Sequence, residues 1–212
     1  MNDDSHPWEE NRGMGYSYGY NRAENIEDYR SSKELILMLI DLVSRGGNLC
    51  LDIGPAADGS IPVIMQERLM QIGDWLEING EAIYGTRMWE KACQWSEGKL
   101  PEMKRGEYMT GFNILKQTID PDPGMAVKEV FFTSKSDAVY AITPEWPGES
   151  LIIKNLQEYE IGSKDPDVYF LLSGKKLNSK WIGKDLVIAM PEYKPRLFTG
   201  QAAFVFKIES GE

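Results

Sequence analysis

The chain is poor in the residues that metal centres, disulfide scaffolds and polyanion-binding surfaces require. Its 212 residues include one histidine, His6, and two cysteines, Cys50 and Cys93. No Cys/His/carboxylate cluster has metal-ligand spacing, so neither a metal nor any other cofactor is expected. Two cysteines do not make a disulfide framework; Cys50 falls in a strand-like apolar run and Cys93 in a helix-to-linker stretch, and both read as free buried thiols. Positive charge is also scarce. Twenty-three Lys and Arg face 33 Asp and Glu, for a net charge of −10, and no basic run offsets it, so nucleic acid is excluded as an expected partner. The longest apolar stretch, Leu35–Ile40, is far short of a membrane span, and the N-terminus lacks the basic-then-apolar layout of a signal peptide. No membrane partner is expected. There is no Asn-x-Ser/Thr sequon, no internal repeat and no low-complexity tract.

What is present is globular: 42% hydrophobic and 26% charged residues, enough for one good core or two small ones. Residues 31–45 carry helix punctuation. Ser31 and Glu34 have capping-box spacing, Gly46 stands where a left-handed C-terminal residue is wanted, and Glu34, Asp41 and Arg45 form a narrow polar stripe on an otherwise apolar helix. The run Asn48–Ile53, ending in Gly54-Pro55, reads as a strand buried on both faces. A second helix is expected from Pro62 to Ile78, capped by Ser60, with Met65, Leu69, Ile72 and Leu76 as its apolar seam and Asn79-Gly80 as its stop. This order is the tail of an alternating β/α sequence, with only two such units before residue 90.

Beyond about residue 100 the period changes to that of strands. Segments 127–133, 138–143, 150–154, 168–172, 186–190 and 204–208 are short, β-branched or aromatic, and separated by turn residues. Phe204, Phe206 and Ile208 alternate against Val205 and Lys207, as a strand with one buried face should. The expected fold is therefore α/β over residues 1–99 followed by an all-β antiparallel sandwich over 100–212, with 96–106 as linker.

Particular residues carry a family likeness. The blocks Gly46-Gly47-Asn48-Leu49-Cys50-Leu51-Asp52-Ile53-Gly54-Pro55, Ala57-Asp58-Gly59, Gln66-Glu67-Arg68-Leu69, Gly73-Asp74-Trp75-Leu76 and Asn79-Gly80-Glu81-Ala82-Ile83-Tyr84 closely resemble α-L-fucosidases of glycoside hydrolase family 29 in order and spacing. Trp8-Glu9 and Ser17-Tyr18-Gly19-Tyr20-Asn21 are similar to that family's Trp-Glu and Ser-aromatic-Gly-Tyr segments, and Thr133-Ser134-Lys135 to the start of its C-terminal domain. The resemblance implies the C-terminal portion of a (β/α)8-type catalytic barrel followed by a β-sandwich, and retaining hydrolysis of α-L-fucosides on glycans or glycoconjugates. It also implies a secreted, periplasmic or lysosomal setting. The family's nucleophile is an Asp on an earlier barrel strand, and its sugar-binding histidines are on early strands too; this sequence contains neither. The chain is thus expected to be a C-terminal fragment, inactive alone and prone to self-association through an opened barrel. A non-catalytic carbohydrate-binding or accessory sandwich is the alternative.

On that resemblance Glu9 is the candidate acid/base, with Trp8 as a low-dielectric wall beside it and, with Tyr18, a substrate-binding residue; the other reading of Glu9 is a glutamate that holds its loop by hydrogen bonds. If Glu9 is not the donor, either Asp3, Asp4 or a residue upstream is. Tyr18 matches the aromatic that packs near the methyl group of fucose, a 6-deoxy sugar, and the family's usual Phe or Trp makes its hydroxyl a departure. Asp52 replaces the family's Asn and reads either as a catalytic carboxylate or, the commoner role, as a strand-end turn acceptor. Asn21 and Arg22 read as loop-fixing residues, Asp58-Gly59 as a turn, His6 as an exposed loop residue, and Trp75, Trp89 and Trp95 as core and interface rings.

Overall fold

The computed structural model describes residues 6–102, 113–158 and 166–209. Asp3 and Asp4, and the last residues of the expected linker, lie outside them.

The first lobe is two β/α units. β1 (Glu9–Gly13) leads through a loop into α1 (Ser32–Ser44), which returns the chain to β2 (Asn48–Asp52), and α2 (Val63–Asn79) follows. β1 and β2 pair in parallel, from Glu9 opposite Asn48 to Gly13 opposite Asp52. Local chemistry explains the boundaries of α1. The Ser31 hydroxyl accepts the Glu34 amide at 3.1 Å, and Gly46, at φ +85°, turns the chain out of the helix. The capping box is only half made, because the Glu34 carboxylate pairs with Arg30. At α2, Pro62 occupies the cap position, while the Ser60 hydroxyl donates to Asp58 at 2.6 Å and does not cap. The buried line of α2 is Met65, Trp75 and Asn79; Leu69, expected in the seam, is 37% exposed.

The expected two-face burial of β2 does not occur. Leu51 and Ile53 pack with Met14, Leu35 and Met65 against the helices, but Asn48, Cys50 and Asp52 alternate onto the opposite face. Cys50 is consequently exposed and Cys93 half-buried, which corrects the expectation of two buried thiols. Burial raises the Cys93 thiol above its ordinary value, against the opposing pull of Lys128.

The second lobe is the antiparallel sandwich. Its strands are β3 (Arg87–Trp95), β4 (Lys128–Ser134), β5 (Ala138–Thr143), β6 (Ser150–Ile153), β7 (Asp167–Phe170), β8 (Lys175–Leu177), β9 (Ser179–Ile182), β10 (Asp185–Ala189) and β11 (Phe204–Glu209), with a short α3 (Pro195–Phe198) before the last. One sheet has the order β3-β4-β5-β11-β7-β8 and the other β6-β10-β9. The first sheet begins at Arg87, well before the expected boundary at residues 99/100. Cys93, expected in a helix-to-linker stretch, lies in this nine-residue edge strand paired with β4.

The large sheet is buried on both faces. Phe132, Ala141, Phe170, Phe204, Phe206 and Ile208 meet Leu151, Ile153, Leu186 and Ile188 of the small sheet. Phe131, Tyr140, Ile142 and Val205 point the other way, into a core shared with Ile36, Leu37, Ile40 and Trp75. This is why β5 is buried at every residue and why Val205 is not on a wet face. α1 is thus sandwiched between β2 and the large sheet, the physical reason for its nearly uninterrupted apolar surface.

Candidate active-site rim

In parallel β/α architectures ligands meet the C-terminal ends of strands. Here those ends are Gly13 and Asp52, and residues 15–29 fold over them. The loop is closed at its base by an Arg30 amide bond to the Met14 carbonyl at 3.0 Å and a bridge between Gly15 and Tyr29. Inside it, the Ser17 amide donates to Glu24 Oε1 at 2.5 Å, Asn21 Nδ2 to Ser17 Oγ at 3.0 Å, and the Ala23 amide to Asn21 Oδ1 at 3.0 Å. Glu24 Oε2 is buried with no hydrogen-bond partner among the described residues. Burial, and next the Glu24 charge, push the Tyr29 phenol above its ordinary value.

Two glycines let the loop lie flat on the strand ends. A Cβ on Gly54 would stand 2.0 Å from the Tyr20 nitrogen, and one on Gly13 2.6 Å from the Ser17 carbonyl oxygen. The loop therefore cannot sink, and it presents Tyr16, Tyr18 and Tyr20 outward. Tyr18 is 52% exposed, and its hydroxyl reaches toward Asn11 Oδ1 at 3.4 Å. Asn11 belongs to the face of β1 that is turned away from the helices, together with Glu9 and Gly13, and Asp52 shares that face beside Gly13. Among the described residues Asp52 makes no side-chain hydrogen bond or ion pair, so the turn-acceptor reading of Asp52 is not what the structure shows.

Trp8 and Glu9 are elsewhere. Glu9 begins β1 and does not sit in a loop, so a strand of five residues, about 13 Å from Cα to Cα, separates it from the rim. Trp8 lies under the α1–β2 turn. Its carbonyl accepts the Asn48 amide at 3.0 Å, the Arg45 guanidinium stands 5.5 Å from its ring centroid, and a Cβ on Gly47 would strike the indole at 2.4 Å. The strand direction thus divides the expected site: Tyr18 is at the C-terminal ends of the strands, Trp8-Glu9 at the N-terminal ends. The residue that sequence reasoning undervalued is Glu24, which holds the Tyr18 segment from inside the loop; its only sequence signal is an acidic residue in a Gly- and Tyr-rich stretch.

A parallel β/α wall with a displayed rim at its strand ends, carrying a sandwich on its helical side, defines a β/α-barrel protein with an appended β-sandwich. Family profiles match this chain twice, Alpha-L-fucosidase over residues 1–81 and Alpha-L-fucosidase C-terminal domain over residues 124–209. The chain belongs to the α-L-fucosidase family, glycoside hydrolase family 29. It is 51% identical over 85 residues to an α-L-fucosidase of Dictyostelium discoideum, covering 40% of this chain and 18% of the relative. Against the tissue α-L-fucosidase of Homo sapiens it is 32% identical over 207 residues, 96% of this chain and 37% of the relative. The α-fucosidase of Thermotoga maritima, solved in complex with a mechanism based inhibitor, superposes with a TM-score of 0.71 at 34% identity, over 97% of this chain and 40% of that one. The chain therefore spans well under half the length of the relatives it matches.

Proposed function

We infer that this chain contributes to retaining hydrolysis of terminal α-L-fucose from glycans or glycoconjugates, and that its first lobe forms part of the wall of the sugar pocket. The observation that carries the reading is the Tyr18 segment, held on the C-terminal ends of two parallel strands inside a stretch matching the α-L-fucosidase profile. An aromatic ring there packs against the methyl group of a 6-deoxy sugar and leaves no partner for the hydroxyl of a galactose-like competitor.

Retaining glycosidases use two carboxylates about 5–5.5 Å apart, one as nucleophile and one as acid/base. Glu9 and Asp52 share a face of the β1–β2 sheet but lie a strand length apart, so they do not form that pair. Asp52, beside Gly13 and under the Tyr18 loop, is the carboxylate better placed to reach a sugar; Glu9 serves the lower end of the wall. By this geometry the isolated chain does not turn over an aryl α-L-fucoside. Both β1 and β2 are edges of a two-stranded sheet, and the isolated chain is expected to self-associate in light scattering.

The test is a chimera in which this chain replaces the matching 40% of the Thermotoga enzyme. Hydrolysis of 4-nitrophenyl α-L-fucoside by the chimera, lost on Tyr18→Ala, is the expected result. A folded but inactive chimera overturns the assignment, and turnover by the isolated chain overturns the argument from carboxylate spacing.

A further inference from the structure

The open end of the sandwich holds a cleft of about 400 Å³ that the reaction above does not use, large enough for a small-molecule site. It opens where β5 runs into the Pro144–Gly148 turn, and Gln94, Glu129, Thr143, Trp146 and Lys154 line it. Thr143 is 2% exposed and its hydroxyl has no hydrogen-bond partner among the described residues. Val139 and Ala141, at the same phase of β5, face the sandwich core, so the Thr143 side chain points between the sheets at the cleft. A hydroxyl kept dry and unpaired is unfavourable where a valine of the same shape would fit. Its presence calls for a ligand group that donates or accepts.

The opposite wall is apolar. Phe170, Phe198 and Phe204 cover Trp146 from the core side at 4.7–5.7 Å, and the rest of the indole borders the cleft. The floor is a polar network: Gln94 Nε2 donates to Glu129 Oε1 at 2.8 Å, the Lys154 amide donates to Gln94 Oε1 at 2.8 Å, and Lys154 Nζ stands 3.2 Å from Glu129. The β-bulge at Glu129 builds this floor. Gln94 pairs with Val130 and Trp95 with Lys128, so Glu129 is the extra residue of β4.

Charge narrows the ligand class. Of the lysines in the lining, Lys154 is paired with Glu129 and Lys128 is turned through the sheet to Asp41, while Glu129 and Glu145 are both acidic. No surplus cation is left for a phosphate or carboxylate. Mixed donors and acceptors opposite an indole suit a neutral polyol, whose hydroxyls do both and whose C–H face packs on a ring. We propose that this cleft is a second saccharide subsite, taking a neutral hexose or deoxyhexose unit, with the Thr143 hydroxyl bonded to a sugar hydroxyl and Trp146 against the sugar's apolar face. The choice of sugars leans on the glycan reading above; the site itself does not involve the barrel rim.

The test is a ¹⁵N-NMR titration of the 212-residue chain with fucose, galactose, N-acetylglucosamine and, as an anionic control, inorganic phosphate. Saturable shifts of the Gln94 side-chain amide and the Trp146 indole N–H with at least one sugar are expected. Thr143→Val should fold at least as stably and bind about tenfold more weakly, the loss of one hydrogen bond. Absence of saturable shifts with all three sugars, undiminished affinity in Thr143→Val, or phosphate binding in place of sugar each overturns the proposal. Tyr18→Ala should leave these shifts unchanged, which separates failure of this subsite from failure of the fucosidase reading; if it abolishes them, the sugar is at the rim and the proposal falls.

Discussion

Removing the carboxylate of Asp41 should do more damage than any other single polar change at the junction of the two lobes. Asp41, in α1, is 1% exposed; Arg45 of the same helix reaches it at 2.7 Å and Lys128 of β4 at 2.5 Å. Lys128 is delivered there by the bulge at Glu129. With unbroken alternation it would share the face of Val130 and Phe132, inside the sandwich. Asp41→Asn leaves two cations facing a neutral amide, Lys128 almost fully buried. Breaking a buried pair from one side costs about 3–5 kcal/mol. For a chain of this size that is a fall in Tm of roughly 6–20 °C. Lys128→Met should cost less, about 1–3 kcal/mol, because Asp41 keeps Arg45. The double variant Asp41→Leu, Lys128→Met should recover a large part of the loss, since apolar side chains of similar volume replace buried ion pairs at little cost. Urea unfolding of Asp41→Leu, Lys128→Met and their double variant closes a double-mutant cycle, and Asp41→Asn is measured beside it. A loss below about 1 kcal/mol for Asp41→Asn, the worth of an exposed pair, would refute the reasoning. So would strict additivity, which would mean that the two groups do not interact.

The rim makes a second claim: Gly54→Ala places a methyl 2.0 Å from the Tyr20 nitrogen and should displace the Tyr18 loop, costing about 1–3 kcal/mol and speeding amide exchange over residues 16–20. Unchanged exchange there would contradict the close approach. Trp75 donates from Nε1 to the Ala203 carbonyl at 3.0 Å, so Trp75→Phe should cost about 2–4 kcal/mol, combining an orphaned carbonyl with lost volume, and calorimetry measures it. Glu81, Lys207 and Tyr140 form one cluster. Burial pushes Glu81 up, but its bonds from Lys207 and Tyr140 outweigh this and hold it below the usual carboxylate range, so its contribution is present above about pH 4.3 and fades as pH falls through the folded value. Glu209 and Glu81 raise Lys207, and burial and Glu81 raise Tyr140, so theirs is present below about pH 10 and lost as pH climbs through the raised values. Glu81→Gln should flatten both flanks of a Tm-against-pH curve; identical flanks in the variant would sink the cluster as their cause.

Sequence patterns showed most where one residue's neighbours along the chain decide the outcome. Ser31 and Gly46 bound α1 because cap and left-handed turn are local chemistry, and β5 is found at its expected residues because it is flanked by turn residues on both sides. The misses share a cause in tertiary structure. Residues 87–95 alternate poorly, since β3 carries irregularities between Met88 and Cys93 and again at Gln94/Trp95, so the strand that holds Cys93 has no strand signature in the sequence. β8 and β9 are three and four residues long and lysine-bearing, below what alternation can resolve. The division of the site has the same origin. Trp8-Glu9 and Tyr18 are near in sequence and read as parts of one site, but the five residues from Glu9 to Gly13 form a strand, and a parallel strand carries its two ends to opposite sides of the wall. A motif in a β/α protein therefore locates a ligand only after the strand's start and end are known. Once they are, Tyr18 and Asp52 share the C-terminal end of the strands, and Trp8 packs on Gly47 at the other.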